Sequence, residues 1–157
     1  PDLARQVIEM ARRHGVPVLV DPANISTYAR YSGASVITPN RTETERLIGR
    51  ELRSLEAVRD ASATILSACH SEQACVTLDA DGSALIGPGD RFEHIPTKKR
   101  DVYDVTGAGD EVLAAMAVAL AAGGTMTEAA HLANVAGGLE VGLEVSFLFL
   151  PNFFSIS

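Results

Sequence analysis

The segment from Asp104 to Asp110 combines residue types that suit phosphoryl transfer. It reads Asp-Val-Thr-Gly-Ala-Gly-Asp and precedes an alanine-rich stretch that is predicted to be a helix. The small residues Gly107, Ala108 and Gly109 let the backbone approach a ligand, and successive N–H groups at the positive end of a helix form an anion hole. Asp110 would lie beside that hole and accept a proton from an attacking hydroxyl. The residues alone equally allow a flexible loop in which Asp110 merely caps the helix.

A second candidate site lies at Asn40 and Glu43, directly after the short apolar run 34–38. That run is typical of a buried parallel strand, and α/β sheets bind ligands at the carboxyl ends of such strands. Amide and carboxylate oxygens at this spacing can bind Mg²⁺ directly or through water. The spacing alone favours another role, in which Asn40 is the N-cap of a helix and Glu43 completes a capping box.

Alternating helix and strand patterns surround both candidate sites. Helices are predicted at 3–14, 42–48, 54–69, 110–122 and 125–140, and strands at 16–20, 34–38, 74–78, 83–86 and 91–95. The first helix has Leu3, Val7 and Met10 at helical spacing, and Thr125 and Glu128 predict a capping box for the last helix. This order of elements predicts a three-layer α/β fold with a mainly parallel sheet that ends in a hairpin.

The composition restricts the class of protein. The chain has 157 residues, a formal net charge of −7 and 46% apolar residues, which suits one globular domain and disfavours a nucleic-acid partner. We find no signal-peptide pattern and no run of about 20 apolar residues, so we expect a cytoplasmic protein with no membrane partner. Cys69 and Cys75 lack metal-ligand spacing and are expected to be reduced thiols on apolar faces.

The segment from Asp104 to Asp110 resembles the Asp-Thr-x-Gly-Ala-Gly-Asp signature of the ribokinase (PfkB) family of carbohydrate kinases. Val105 replaces the usual Thr, and the same substitution occurs in the heptose 7-phosphate kinase branch of the family. The resemblance implies an ATP-dependent sugar kinase in which Asp110 is the catalytic base. Glu111 follows the base where a small or hydroxyl residue is usual, and it adds a negative charge close to the phosphate.

Two ion sites follow from the same resemblance. Asn40 and Glu43 match an Asn-x-x-Glu motif that serves Mg²⁺ and phosphate in the family. The resemblance also allows a monovalent cation such as K⁺ beside Asp104 and Thr106. ATP and Mg²⁺ are therefore the expected cofactors, and a sugar phosphate is the expected small-molecule partner.

The nucleotide site is implied at three positions. The run 76–78, Val-Thr-Leu, with the turn ending at Gly82, resembles the nucleotide-binding segment of the family and places Thr77 and Gly82 in it. Asp79 stands where many members have Gly. Asn134 matches a position that lies near the adenine. From the residues alone, the same run is a strand followed by a tight turn.

The resemblance extends over about residues 1–142. It identifies 1–145 as the C-terminal, nucleotide-binding and catalytic part of a ribokinase-like domain, and leaves 146–157 as an apolar tail with no assigned role. The expected reaction converts heptose 7-phosphate to heptose 1,7-bisphosphate, and a homo-oligomer is compatible with the family. Because most sugar contacts precede this part in the family, two alternatives stay open: another sugar kinase, or a nucleotide-binding fragment without catalysis.

Overall fold

A computed structural model of the protein describes residues 2–22, 27–97 and 108–139. In chain order, its elements are α1 (Leu3–Arg13), β1 (Leu19–Val20), β2 (Val36–Ile37), α2 (Arg41–Ile48), α3 (Leu55–Asp60), α4 (Ser62–Cys69), β3 (Gln73–Thr77), β4 (Ser83–Gly87), β5 (Arg91–Ile95), α5 (Ala108–Ala121) and α6 (Met126–Leu139). Within these ranges, no helix is long and apolar enough to cross a membrane. The tail 146–157 lies outside the described residues.

The strands form one sheet in the order β1-β2-β3-β4-β5 within the described residues. The pairs β1–β2 and β2–β3 are parallel, whereas β3–β4 and β4–β5 are antiparallel, so β4 alone among the described strands runs in the opposite direction. The expectation of a mainly parallel sheet that ends in a hairpin is therefore confirmed. The hairpin between β4 and β5 closes where Gly87 pairs with Arg91.

Helices cover both faces of the sheet, as a three-layer fold requires. Along β3, Ala74 and Val76 point to one apolar cluster and Cys75 points to the other, because side chains alternate along a strand. The first cluster contains residues from α3 and α4, including Val58 and Ile65. The second contains residues from α5 and α6, and its helical contribution is mostly alanine and methionine.

The two cysteines lie in opposite clusters and are free thiols, as expected. Burial raises the pKa of both Cys69 and Cys75 to about 12. Both thiols are therefore protonated at neutral pH, and neither provides the thiolate that nucleophilic or metal-binding cysteine requires.

Helix α1 exposes residues that the sequence pattern assigned to an apolar face. Leu3, Val7 and Met10 are 73%, 54% and 64% exposed, whereas Ile8 is buried at 3%. Asp2 caps the helix by accepting a hydrogen bond from the N–H of Ala4 at 3.1 Å. The helix itself is as predicted, but its contacts within the described residues use the stripe that contains Ile8.

The predicted helix 54–69 is two helices, α3 and α4, which meet at Ala61. Ser54 caps α3 as expected, accepting from the N–H of Ala57 at 3.1 Å. After the break, the hydroxyl of Ser62 donates to the Val58 carbonyl at 3.1 Å, and such side-chain bonds to the preceding turn bend helices. The strands β1 and β2 are also shorter than predicted, with two residues each.

Candidate active site

The predicted ligand residues of two separate motifs meet at the carboxyl edge of the sheet. Strands β2 and β3 run parallel, so Asn40 after β2 and Thr77 at the end of β3 reach the same edge. An isolated parallel bridge joins Asn40 to Thr77, and the N–H of Thr77 donates to the carbonyl of Pro39 at 3.0 Å. This edge is where α/β sheets bind their ligands.

Asn40 and Glu43 form a complete capping box at the start of α2. The Asn40 Oδ1 accepts from the N–H of Glu43 at 2.8 Å, and the Glu43 Oε2 accepts from the N–H of Asn40 at 2.9 Å. The interpretation that the spacing alone favoured is therefore confirmed. It does not exclude a metal, because an ionised carboxylate has two oxygens and accepts several bonds.

Two carboxylates near this box influence the buried Tyr28 hydroxyl. Burial raises the pKa of Tyr28 above its ordinary value, and the carboxylates of Glu43 and Asp21 add to the rise, together with the neighbouring groups Cys69 and Tyr31. Both carboxylates therefore lie close enough to Tyr28 to influence its hydroxyl. Among the described residues, no group of three or more His, Cys, Asp or Glu could hold a metal. A Mg²⁺ ion here would take other ligands from water and phosphate, as it commonly does.

The turn between β3 and β4 requires glycine at position 82. Gly82 has φ +90, a conformation that side chains disfavour. A Cβ placed there would lie 2.1 Å from the carbonyl oxygen of Ile95 and 2.6 Å from the nitrogen of Thr97. The carbonyl of Gly82 accepts from the N–H of Leu78 at 2.7 Å, which closes the turn. Gly82 therefore lets the turn pack directly against the backbone that leaves β5.

Asn134 of α6 bonds to the same backbone segment. Its Nδ2 donates to the carbonyl of Pro96 at 3.0 Å, and its Oδ1 accepts from the hydroxyl of Thr97 at 3.4 Å. Thus Gly82 and Asn134, which lie 52 residues apart in the sequence, both approach Pro96 and Thr97. The structure brings these two predicted nucleotide-site residues together, and their contact with a nucleotide stays a prediction.

Two of the three residues predicted to form the anion hole, Ala108 and Gly109, lie at the start of α5. Helix α5 begins at Ala108, two residues earlier than predicted, so Ala108, Gly109 and Asp110 are in its first turn. Alanine is the best helix former, which is consistent with the earlier start. The N–H groups of a first helical turn have no partner within the helix, so they remain available to an anion. Gly107 lies outside the described residues, as do the side chains of 108–110.

The cation site beside Asp104 and Thr106 lies outside the described residues as well. Further along α5, Val112 and Met116 are buried in the cluster on the second face of the sheet, which fixes the described part of the helix. Helix α6 begins with the predicted capping box: Glu128 Oε2 accepts from the N–H and the hydroxyl of Thr125, both at 2.8 Å.

Arg41 is the residue that the sequence pattern did not single out. It is the first residue of α2, and its guanidinium bonds to the β3–β4 turn through Asp79 and Asp81, at 3.1 Å and 2.6 Å. Its partners lie 38 and 40 residues away, so no local pattern could have revealed the connection. Asp79 has a positive φ of 52, a backbone conformation that glycine adopts most easily. This conformation is consistent with the glycine that the sequence comparison expects at position 79.

This fold, with small residues starting α5 and a capped helix at the sheet edge, is that of the pfkB family of carbohydrate kinases. Residues 1–144 match the pfkB family carbohydrate kinases, and the chain belongs to this family. It is similar to the bifunctional protein HldE of Paramagnetospirillum magneticum, with 43% identity over 140 residues, and of Geobacter sulfurreducens, with 44% over 142 residues. These matches cover 89% and 90% of the chain but 28% and 29% of the relatives. The chain therefore spans less than a third of their length.

Solved structures agree with this assignment. Ribokinase of Arabidopsis thaliana, complexed with ribose and ATP, superposes with a TM-score of 0.78 and 31% identity, covering 92% of this chain and 47% of that one. Ribokinase of Thermotoga maritima gives a TM-score of 0.69 and 27% identity over 86% of this chain and 46% of that one. Phosphofructokinase-2 of Escherichia coli, at 23% identity and a TM-score of 0.72, shares the fold over 87% of this chain and 45% of its own.

Proposed function

We propose that this chain is the nucleotide-binding and catalytic part of an ATP-dependent sugar kinase whose acceptor is heptose 7-phosphate. The convergence of separate motifs at one edge of the sheet carries the proposal. Thr77 is joined to Asn40 by an isolated parallel bridge. Gly82 and Asn134 both lie close to the backbone that follows β5. Residues scattered over the sequence thus form one neighbourhood for a nucleotide.

Phosphoryl transfer assigns a role to the start of α5. Asp110 would accept the proton of the sugar's anomeric hydroxyl as its oxygen bonds to the γ-phosphorus and the bond to ADP breaks. The N–H groups of Gly107, Ala108 and Gly109 would stabilise the charge that develops on the phosphoryl oxygens. The position of Asp110 in the first turn of α5 supports this assignment.

Asn40 and Glu43 fit a Mg²⁺ ion by the chemistry of their oxygens, which the capping box holds together at the start of α2. When bound, Mg²⁺ would neutralise charge on the phosphates of ATP. Thr77, Gly82 and Asn134 would contact the nucleotide, the last near the adenine. A K⁺ ion beside Asp104 and Thr106 is part of the proposal through the family resemblance.

The choice of a heptose phosphate rests on sequence similarity. Identity to the bifunctional HldE proteins is 39–44%, against 31% to the plant ribokinase, and Val105 follows the heptose branch. A nucleotide-binding unit without catalysis is the second candidate, because Glu111 places a second negative charge directly after the predicted base.

Isothermal titration of the 157-residue chain with ATP and Mg²⁺ tests the nucleotide site, and formation of ADP with heptose 7-phosphate tests transfer. We expect saturable binding of ATP. Transfer to heptose 7-phosphate would support the kinase, whereas ATP binding without transfer would support the second candidate. Asp110→Asn should leave ATP affinity unchanged and lower any transfer by about 10²–10⁴-fold, the usual contribution of a general base. Faster turnover with ribose than with heptose 7-phosphate would contradict the acceptor, and absence of ATP binding would contradict the site.

A further inference from the structure

A single guanidinium ties together three backbone segments at the carboxyl edge. Arg41 donates from Nε to Asp79 at 3.1 Å and from Nη2 to Asp81 at 2.6 Å. The same Nη2 also donates to the carbonyl of Leu78 at 3.0 Å, and Nη1 donates to the carbonyl of Leu52. The Arg41 side chain is 16% exposed, whereas its partners Asp79 and Asp81 are 74% and 53% exposed, so the guanidinium is shielded from water more than the carboxylates that it binds. Arg41 thereby connects the start of α2 to the β3–β4 turn and to the loop before α3.

Two residues of this network are individually unfavourable where they stand. Arg41 is a cation in the first turn of α2, where the helix dipole favours negative charge. Asp79 is a non-glycine residue with φ +52, a conformation that costs free energy for most side chains. The carboxylate of Asp79 offsets the charge of Arg41, and the guanidinium holds the turn in which Asp79 lies. Local choices that conflict with simple propensity are expected at functional sites.

The segments that Arg41 joins are those that carry the proposed ligands. Asn40 and Glu43 flank Arg41 on α2, whereas Thr77 and Gly82 flank the turn that Arg41 holds. A guanidinium with four acceptors in fixed directions restricts the distance between the two segments. It also neutralises two carboxylates that would otherwise repel phosphate groups approaching the turn.

We infer that Arg41 is a positioning residue, which fixes the Mg²⁺-binding start of α2 relative to the nucleotide-binding turn and neutralises that turn. The inference rests on the proposed nucleotide site. Arg41 contacts neither nucleotide nor metal in this role and acts through the Leu78–Asp81 turn.

The test measures ATP affinity with and without Mg²⁺ for Arg41→Gln in the 157-residue chain. We expect a loss of about tenfold with Mg²⁺, comparable to losing a residue that orients a ligand, and a smaller loss without it. Arg53→Gln is the matched control, because it removes the same charge from an exposed pair with Glu51. That control should bind ATP as the unaltered chain does. Hydrogen exchange at the N–H groups of Leu78 and Gly82, which close the turn, should accelerate in Arg41→Gln alone.

A double-mutant cycle with Asp79→Gly separates positioning from general loss of structure. Glycine suits φ +52 and removes one carboxylate, so Arg41→Gln should cost at least about threefold less affinity in that background. Arg41→Lys keeps the charge but loses the planar guanidinium, so it should restore part of the ATP affinity. It also replaces Arg41→Gln in the test if that variant does not fold. Unchanged ATP affinity in Arg41→Gln, or equal losses in both backgrounds, would overturn the inference. If the unaltered chain binds no ATP, the proposed function fails. If hydrogen exchange at Leu78 and Gly82 is also the same in Arg41→Gln as in the unaltered chain, Arg41 does not position the turn either.

Discussion

Two helices of this protein begin with nearly the same capping box in different surroundings. At the start of α2, the reciprocal bonds between Asn40 and Glu43 measure 2.8 Å and 2.9 Å. At the start of α6, the bonds between Thr125 and Glu128 measure 2.8 Å and 3.3 Å. Both boxes satisfy N–H groups that a helix leaves free at its start, so both stabilise their helices in the same way.

The surroundings differ in what they add to the box. The α2 box follows a parallel strand, adjoins Thr77, and is braced by Arg41 to the β3–β4 turn. The α6 box follows the tight turn after α5, where Gly124 donates to the carbonyl of Ala119 at 3.0 Å. Local geometry is therefore the same for a proposed ligand site and for a plain helix start. The position at the sheet edge distinguishes them.

Gly82 lies in the turn that Arg41 connects to the α2 box, and Gly124 directly precedes the α6 box; these two glycines should differ most in their tolerance of a side chain. In Gly82→Ala, the new methyl would meet Ile95 O at 2.1 Å and the residue would keep a positive φ, so we expect a loss of about 2–5 kcal/mol. In Gly124→Ala, the nearest atom is Ala119 O at 2.9 Å and φ is ordinary, so about 1 kcal/mol is expected.

Urea unfolding of the two alanine variants provides the measurement. Gly89→Ala is the control for positive φ without crowding, because φ is +68 and no atom lies within 4 Å of the added Cβ. Its cost should be about 1–2 kcal/mol, from the backbone conformation alone. Equal costs for Gly82→Ala and Gly89→Ala would show that the close approach to β5 contributes nothing.

Much of this comparison was accessible from the sequence. Both boxes follow from the spacing of a short polar residue and a Glu, and the hairpin β4–β5 follows from its turn residues. Such patterns are local, with partners three to five residues apart. Arg41 is different, because its carboxylate partners lie 38 and 40 residues away and only the folded sheet brings them together.

Packing choices were also beyond the sequence pattern. A helical repeat shows that Leu3, Val7 and Met10 share a face, but not whether anything covers that face, and in the described residues they are exposed. The pattern over 54–69 likewise could not show that Ser62 would bond backward to Val58 where the helix breaks. For the candidate site, the sequence showed the order of the motifs along the chain. It could not show the distances between them, because these depend on how the strands pair.

Replacing the carboxylate in each box should reveal which box binds a metal. Glu43→Gln and Glu128→Gln both keep a capping box, since Gln accepts the same N–H bond, so stability should change little in either. Only Glu43→Gln should lower the affinity for ATP with Mg²⁺, by at least about tenfold or 1.4 kcal/mol, because a charged oxygen ligand is lost. Calorimetric titration of each variant with ATP at a fixed Mg²⁺ concentration measures these affinities. Equal affinities in the two variants would remove the reason to place Mg²⁺ at α2.

Removing the N-cap side chains should cost the two helices similar stability. Asn40→Ala and Thr125→Ala each lose one bond to a helix N–H group, and about 1 kcal/mol is expected for each in urea unfolding. Asn40→Ala should lower ATP affinity as well, whereas Thr125→Ala should not. A markedly larger stability loss for Asn40→Ala would mean that the α2 start supports the sheet edge beyond its capping role.

The smallest expected effect is a pH dependence confined to the α6 box. The backbone N–H of Thr125, followed by its hydroxyl, donates to Glu128 and holds the pKa of that carboxyl below its ordinary value of 4.5. A carboxyl with a lowered pKa in the folded state stabilises the fold above its unfolded pKa, and that contribution is lost as pH falls through the folded value. Glu128→Gln cannot titrate, so it should lose less stability than the unaltered chain between about pH 5 and pH 3. Urea midpoints at both pH values measure the difference, and parallel losses would show that the Thr125 bonds add no pH-dependent stability.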